Sequence, residues 1–276
     1  MQVYVSVDME GCAGVVHVDQ TRRTGHDYAT ARRWMTLEAN AAVVGAFEAG
    51  AEAVLVNDSH GDMRNLLLEE LDPRAEILSG SLKPLSMVQG VGSAHAVALF
   101  VGYHAGAGTR GGILDHTYYG LVVARCRVGG HDWNEAAINA AVCGTFGVPV
   151  ALLTGDATAC AQTRELLPAI DTVVVKEAVS RYAARGMSPV LARERIREAA
   201  RRAVERAKRG ELSPFRPEPP LRLEVDFVNA AGADSAELLP GTIRSGGTST
   251  TYDAPDAQTM LKVLRAWTIL AAAAIV

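Results

Sequence analysis

Val3-Tyr4-Val5-Ser6-Val7-Asp8-Met9-Glu10-Gly11, near the start of the chain, decides the fold. Its first half is short and apolar, the pattern of a buried strand. Two acids one residue apart follow. In open α/β sheets, ligands sit at that end of the strands. Two carboxylates so close raise each other's pKa unless a cation lies between them. Gly11 then permits a tight turn.

The pattern recurs along the chain. Ala53-Val54-Leu55-Val56 is a second buried strand, ending in Asn57-Asp58-Ser59-His60-Gly61. Residues 96–101 form a third, ending in Gly102-Tyr103-His104. Val148-Pro149-Val150-Ala151-Leu152-Leu153 and Val173-Val174-Val175 are two more. Helices are predicted between them. One runs from about Asp27 to Ala49, with Trp34, Leu37, Ala41 and Val44 at helical spacing. Another runs from an Asn134 cap to about Phe146, and a third from Ala157 to Leu167. Strands alternating with helices predict an α/β fold with a mostly parallel sheet and helices on both faces. Arg64 to Leu71 reads as a short helix, Ala75 to Leu78 as a short strand, and Tyr118 to Val128 as a strand.

From about Ser180 the pattern changes. Ser188-Pro189 opens a long basic helix with an apolar stripe of Ala192, Ile196, Ala199, Ala203 and Ala207. A proline-rich stretch, Pro214 to Pro220, precedes an alternating strand, Leu221 to Phe227. A last helix starts near Asp256. The expected organisation is a catalytic core over residues 1–180 and a smaller α+β C-terminal region over 181–276.

The 276 residues carry a net charge of −4, with 49% hydrophobic and 21% charged side chains. This is the composition of a soluble globular protein without the basic surface that nucleic acid demands. The apolar C-terminal run is too short for a membrane span and reads as a helix end docked on the core or on another subunit. The four cysteines include no Cys-x-x-Cys pair and read as buried, reduced thiols of a cytoplasmic protein. Cys12 lies beside the acids and reads as a small packed thiol.

Three strands thus end in potential metal ligands: Asp8 and Glu10, then His60, then His104. In a parallel sheet these ends share one edge. Mixed carboxylate and imidazole ligands suit zinc or a similar first-row metal, and their number suggests two metals with a bridging carboxylate. Glu135, in the first turn of a helix, and His116, after a glycine-rich loop at 106–115 that permits movement over the site, are each weak signals alone. His17, His26, His95 and His131 have no such context.

Taken together, Ser6-Val7-Asp8-Met9-Glu10-Gly11, Val56-Asn57-Asp58-Ser59-His60 and Gly102-Tyr103-His104-Ala105 resemble the signature segments of the zinc-dependent D-aminopeptidases associated with dipeptide transport. The resemblance extends to Ser79-Gly80, Lys83-Pro84, Asn134-Glu135, Val175-Lys176 and Pro240-Gly241-Thr242. It implies two zinc ions per subunit, held by Asp8, Glu10, His60, His104 and Glu135, with Asp8 as the bridge. It implies His116 as the catalytic histidine, although His104 and His116 stand one residue further apart here than the family pattern. It also implies a homo-oligomeric ring, a decamer of stacked pentamers. The expected activity is hydrolysis of short peptides with an N-terminal D-residue, such as D-Ala-D-Ala. The competing readings are a metal-dependent amidohydrolase or phosphoesterase, and a non-catalytic protein with a structural metal site.

Overall fold

Val3, Val5 and Val7 turn to one face of strand β1 (Gln2–Val7), and Tyr4 and Ser6 to the other; all five are fully buried. Both faces of the strand are covered, so the run has no polar alternation. The structure is a computed structural model and describes residues 1–275. After β1 come α1 (Val18–Thr21), α2 (Tyr28–Glu48), β2 (Ala53–Asp58), β3 (Glu76–Leu78) and β4 (His95–Tyr103). Then follow β5 (Val123–Val128), β6 (His131–Asp132), α3 (Glu135–Thr145), β7 (Val150–Asp156), α4 (Ala157–Leu166), β8 (Asp171–Ser180) and β9 (Ala183–Gly186). The chain ends in α5 (Pro189–Lys208), β10 (Leu221–Phe227), α6 (Ala230–Ala236), β11 (Ile243–Arg244), β12 (Ser249–Ala254) and α7 (Ala257–Ala273).

The larger sheet has the order β3-β2-β1-β4-β7-β8-β9 and is parallel except for the β8–β9 pair. Helices α2 and α5 pack on each other and on the face carrying Val3, Val5, Val97, Leu99 and Val101. Helix α3 covers the opposite face, where Tyr4, Ala98, Phe100 and Tyr103 lie. The α/β class read from the strand–helix alternation is the one observed.

A second, antiparallel sheet has the order β11-β12-β10-β5-β6. The two sheets do not divide the chain at residue 180. Strands β5 and β6, at 123–132, pair with β10. Helix α5, at 189–208, belongs to the first sheet, because its stripe of Ala192, Ile196, Ala199 and Ala203 is buried against α2. Helix α7 docks on its own chain. Met260, Leu264 and Trp267 are fully buried between α3, α6 and the second sheet. Among the described residues, no helix is long and apolar enough to cross a membrane.

Two expected elements are absent. Arg64 to Leu71 is not a helix but an extended stretch with a single 3-10 turn at Leu68–Glu70. The Asp58 carboxylate takes the Asn65 and Leu66 backbone N–H groups at 2.5 and 2.8 Å, which fixes the chain in another path. The strand expected from Tyr118 starts only at Val123, because residues 117–122 turn along the rim of a cavity.

Candidate metal centre

Asp8 and Glu10 follow β1, His60 follows β2, His104 follows β4, and Glu135 is the first residue of α3 behind its Asn134 cap. The parallel order places β2, β1 and β4 side by side, so their ends meet. Close backbone packing draws the ends together. Gly11 N–H donates to Gly102 O at 2.8 Å, and a Cβ on Gly11 would lie 1.9 Å from Tyr103 O. Gly102 has φ +71°, and a Cβ there would lie 2.2 Å from Asp8 O. Gly11 is therefore required by close approach rather than by a left-handed turn.

The five side chains converge, and all are buried. Asp8 presents one oxygen to each of two histidines: Oδ1 lies 3.2 Å from His60 Nδ1, and Oδ2 lies 3.3 Å from His104 Nε2. Glu10 Oε2 lies 2.9 Å from His60 Nδ1 without the alignment of a hydrogen bond. Glu135 Oε1 lies 3.6 Å from His104 Nε2. Ligand atoms of Asp8, Glu10 and His104 fall within 4.8 Å of one another, as do those of His104, His116 and Glu135.

Backbone carbonyls set the histidine tautomers. His60 Nε2 lies 2.7 Å from Thr21 O, His104 Nδ1 lies 2.9 Å from Ala105 O, and His116 Nδ1 lies 2.8 Å from Leu114 O. A carbonyl only accepts, so each of these nitrogens carries the proton and donates it. That leaves the lone pair of the other nitrogen facing the cluster, as in metal-binding histidines whose second nitrogen is tied back.

In this arrangement acceptors face acceptors. Asp8 Oδ2 and His104 Nε2 are buried with no hydrogen bond. Without a cation the rings would have to be protonated. Burial opposes this, but Glu10 and Asp8 hold His60 well above its ordinary pKa, and Glu135 and Asp8 do the same for His104. Burial likewise works to raise Asp8, yet the two histidines hold it far below the usual carboxylate range. Orphaned oxygens and an orphaned imidazole nitrogen within 4.8 Å are what a divalent cation would satisfy, and the donor set suits zinc. Cys12 is not part of it. Its thiol is buried, donates to Asp8 O at 3.3 Å, and is pushed well above its ordinary pKa by burial.

The residues around the ligands hold their backbones. Lys176 is 2% exposed and donates its ammonium protons to the carbonyls of Glu10, Cys12 and Val15. Ser6 Oγ joins Ser59 Oγ, Met87 O and Tyr103 OH, each at 2.7 Å, directly behind Asp8. Asn65 Nδ2 donates to His60 O at 2.7 Å and to Asp58 Oδ1 at 2.8 Å. Asp58 thus serves the loop rather than the cation, and Asn57 ties in the neighbouring segment, its Nδ2 donating to Met87 O and its Oδ1 accepting from Lys83, both at 2.7 Å.

A cavity of about 390 Å³ opens on the cluster, lined by Asp8, Glu10, His60, Glu135 and His116. None of His17, His26, His95 and His131 lines it; His17 instead caps α1. His116 stacks on His104 with ring centroids 4.0 Å apart and an angle of 10°. The glycine-rich loop before it is laced down rather than loose. Gly106 N–H donates to Gln162 Oε1, Ala107 N–H to Thr117 Oγ1, and Gly108 N–H to Asp115 Oδ2. Met63, Ser86, Leu114 and Tyr118 are the non-glycine residues with left-handed φ among those described, and all four line the cavity. Such residues cost on the order of 1–3 kcal/mol each and gather where function fixes the backbone. Tyr118 shows the reason: its N–H donates to Glu135 Oε1 at 2.6 Å. Lys176, Tyr118 and a cavity-lining Arg265 on α7 are contributors that strand-end reading did not assign. Only Lys176 carried a sequence signal, as a cation closing an apolar strand.

Comparison with known proteins gives concordant results. A family model described as D-aminopeptidase matches residues 1–266. The D-aminopeptidase of Bacillus subtilis (strain 168) is 36% identical over 274 residues, covering 98% of this chain and 96% of that protein. The solved structure described as Zn-dependent D-aminopeptidase DppA from Bacillus subtilis, a self-compartmentalizing protease, superposes with a TM-score of 0.93 at 35% identity. That match covers 99% of this chain and 98% of the other.

Proposed function

This chain belongs to the D-aminopeptidase family, and from that premise we propose how its cluster works: as a dinuclear zinc centre that removes N-terminal D-residues from short peptides such as D-Ala-D-Ala. It is a zinc-dependent hydrolase of peptide bonds acting on peptides of D-amino acids. In the proposed centre, Asp8, Glu10 and His60 would hold one ion and Asp8, His104 and Glu135 the other. The observation that carries this is the Asp8 carboxylate, which turns one oxygen to each histidine and leaves Oδ2 buried without a hydrogen bond. When bound, zinc would polarise the scissile carbonyl and bring the pKa of a bound water toward neutrality.

The protein's own groups supply the rest. His116 keeps its Nδ1 proton on Leu114 O, so Nε2 is the atom that takes up or returns a proton, or attacks the carbonyl. Stacking on His104 holds that ring over the centre. The cavity volume of about 390 Å³ lies near the lower end for small-ligand sites and suits a di- or tripeptide. A second reading, His116 as a zinc ligand, is favoured by the proximity of His104, His116 and Glu135.

The test is hydrolysis of D-Ala-D-Ala, L-Ala-L-Ala and a phosphate ester, each with and without chelator. Chelator-sensitive cleavage of the D-dipeptide alone supports the reading; cleavage of the ester alone points to a phosphoesterase. Asp8→Ala should lose more than one equivalent of zinc, and full occupancy in that variant would end the bridging assignment. The relative's description as self-compartmentalizing supports a homo-oligomer. We extend this to a decameric ring, which light scattering would test. The four buried, unpaired cysteines support a reducing, cytoplasmic setting.

A further inference from the structure

One wall of the cavity is used neither by the ligand cluster nor by His116. Arg265, on α7, lines it and is half-buried. Its Cζ lies 5.3 Å from the centroid of the Tyr118 ring. Tyr118 also donates its backbone N–H to Glu135 Oε1 at 2.6 Å, and its hydroxyl donates to Asn139 Oδ1 at 3.2 Å. A single fixed residue therefore sets the guanidinium at a defined place beside the centre.

The cavity holds two other arginines, and they differ. Arg181 is committed: Nε donates to Asp115 Oδ1 at 2.6 Å and Nη2 to Asp115 O at 2.7 Å. Arg22 is exposed at the mouth. Among the described residues, the guanidinium of Arg265 meets no carboxylate and no carbonyl; its contact is the face of the Tyr118 ring. A guanidinium stays charged at any relevant pH and presents a planar fork that matches a carboxylate. Stacking on an aromatic face leaves the edge of that fork free.

A short peptide without acidic side chains, such as D-Ala-D-Ala, has one anionic group, its C-terminal carboxylate. With the amine end and scissile carbonyl at the acidic cluster, that carboxylate lies a residue or so away, within the same cavity. We propose that Arg265 binds the C-terminal carboxylate of the substrate, so that the enzyme selects free-acid di- and tripeptides over amides and longer chains. This rests on the aminopeptidase reading and adds the residue that measures the substrate's length.

The experiment compares D-Ala-D-Ala with D-Ala-D-Ala amide on zinc-loaded wild type, Arg265→Met and Arg265→Lys, with zinc content measured on each. The wild type should prefer the acid by about 10- to 100-fold in kcat/KM, the scale of a hydrogen-bonded charge pair. Arg265→Met should bring the acid down to the level of the amide, mainly through KM, and leave the amide unchanged. Arg265→Lys should fall between, because the charge remains and the fork is lost. The amide serves as the internal control for folding. Equal treatment of acid and amide by the wild type would overturn the proposal, and so would an equal loss on both substrates in Arg265→Met. Hydrolysis of neither by the wild type would instead overturn the aminopeptidase reading beneath it.

Discussion

Replacing Lys176 by methionine keeps most of the unbranched apolar stem of the side chain, one atom shorter, and removes its charge and donors. Its ammonium group serves the carbonyls of Glu10, Cys12 and Val15, three points on the turn that carries two proposed ligands. Cys12 O keeps the Val15 N–H at 3.2 Å, but the Glu10 and Val15 carbonyls lose their donor, at about 1–3 kcal/mol each. The variant is relieved of burying an ammonium, an opposing effect of several kcal/mol; burial already pulls the Lys176 pKa below its ordinary value. The two effects partly cancel, and a net loss of about 1–3 kcal/mol is expected. For a chain of this size that is a fall in Tm of roughly 2–6 °C. Metal-free protein is the proper sample, since bound zinc would add its own stabilisation. In parallel, zinc affinity against a competing chelator should drop about 10- to 100-fold, as when outer-shell partners of metal ligands are removed. A Tm within about 1 °C of wild type together with unchanged zinc affinity would show that Lys176 does not hold this corner.

His116→Ala should keep its zinc and lose activity by about 10² or more, the scale for an acid–base group; loss of zinc with activity would make His116 a ligand instead. Trp267 is fully buried and donates Nε1–H to Thr242 Oγ1 at 2.9 Å. Trp267→Ala should therefore cost about 3–5 kcal/mol in thermal or denaturant unfolding, and a loss below about 1 kcal/mol would contradict the packing of α7. Burial raises the Glu38 carboxyl from 4.5 to about 7 against the pull of the Ala13 N–H and Lys176. Because its folded pKa lies above its unfolded value, the stability it contributes is complete below about pH 4.5 and is lost as pH rises through about 7. At 1.36 kcal/mol per unit, the rise from 4.5 to about 7 makes the loss about 3 kcal/mol. Glu38→Gln should accordingly gain on wild type in Tm between pH 5 and pH 8, and parallel curves would sink the assignment.

The parts of the fold that could be read from sequence are those dictated locally. Val3 to Val7, Val54 to Val56 and residues 97–101 are apolar runs whose burial needs no partner to be inferred, and their acidic or imidazole ends follow directly. What escaped reading depends on distant groups. Arg64 to Leu71 has helical residues, but the Asp58 carboxylate claims two of its N–H groups. Tyr118 has strand-like neighbours, but Glu135 takes its N–H and forces φ to +57°. Arg265 sits at a polar position of an amphipathic helix and gains its meaning only because Tyr118 lies beneath it. The cut expected near residue 180 failed because β5 and β6, though early in the chain, have their partner in β10.

That last pairing has a consequence for how the protein is made. Arg127 on β5 and Asp226 on β10 face each other at 2.9 Å, yet 99 residues separate them in sequence. At about 5–20 residues per second, a ribosome needs on the order of 5–20 seconds to cover that interval. Throughout it β5 waits with an unsatisfied edge, and the adjoining α3, which carries Glu135, lacks the cover that α7 later provides. Ligands from the first strands are synthesised early, but the wall holding Arg265 leaves the ribosome well after the last of them, Glu135. The pocket is thus closed off from its surroundings only once α7 has been made, and a nascent chain stalled before α7 would display all five proposed ligands to whatever metals and chaperones the cell offers.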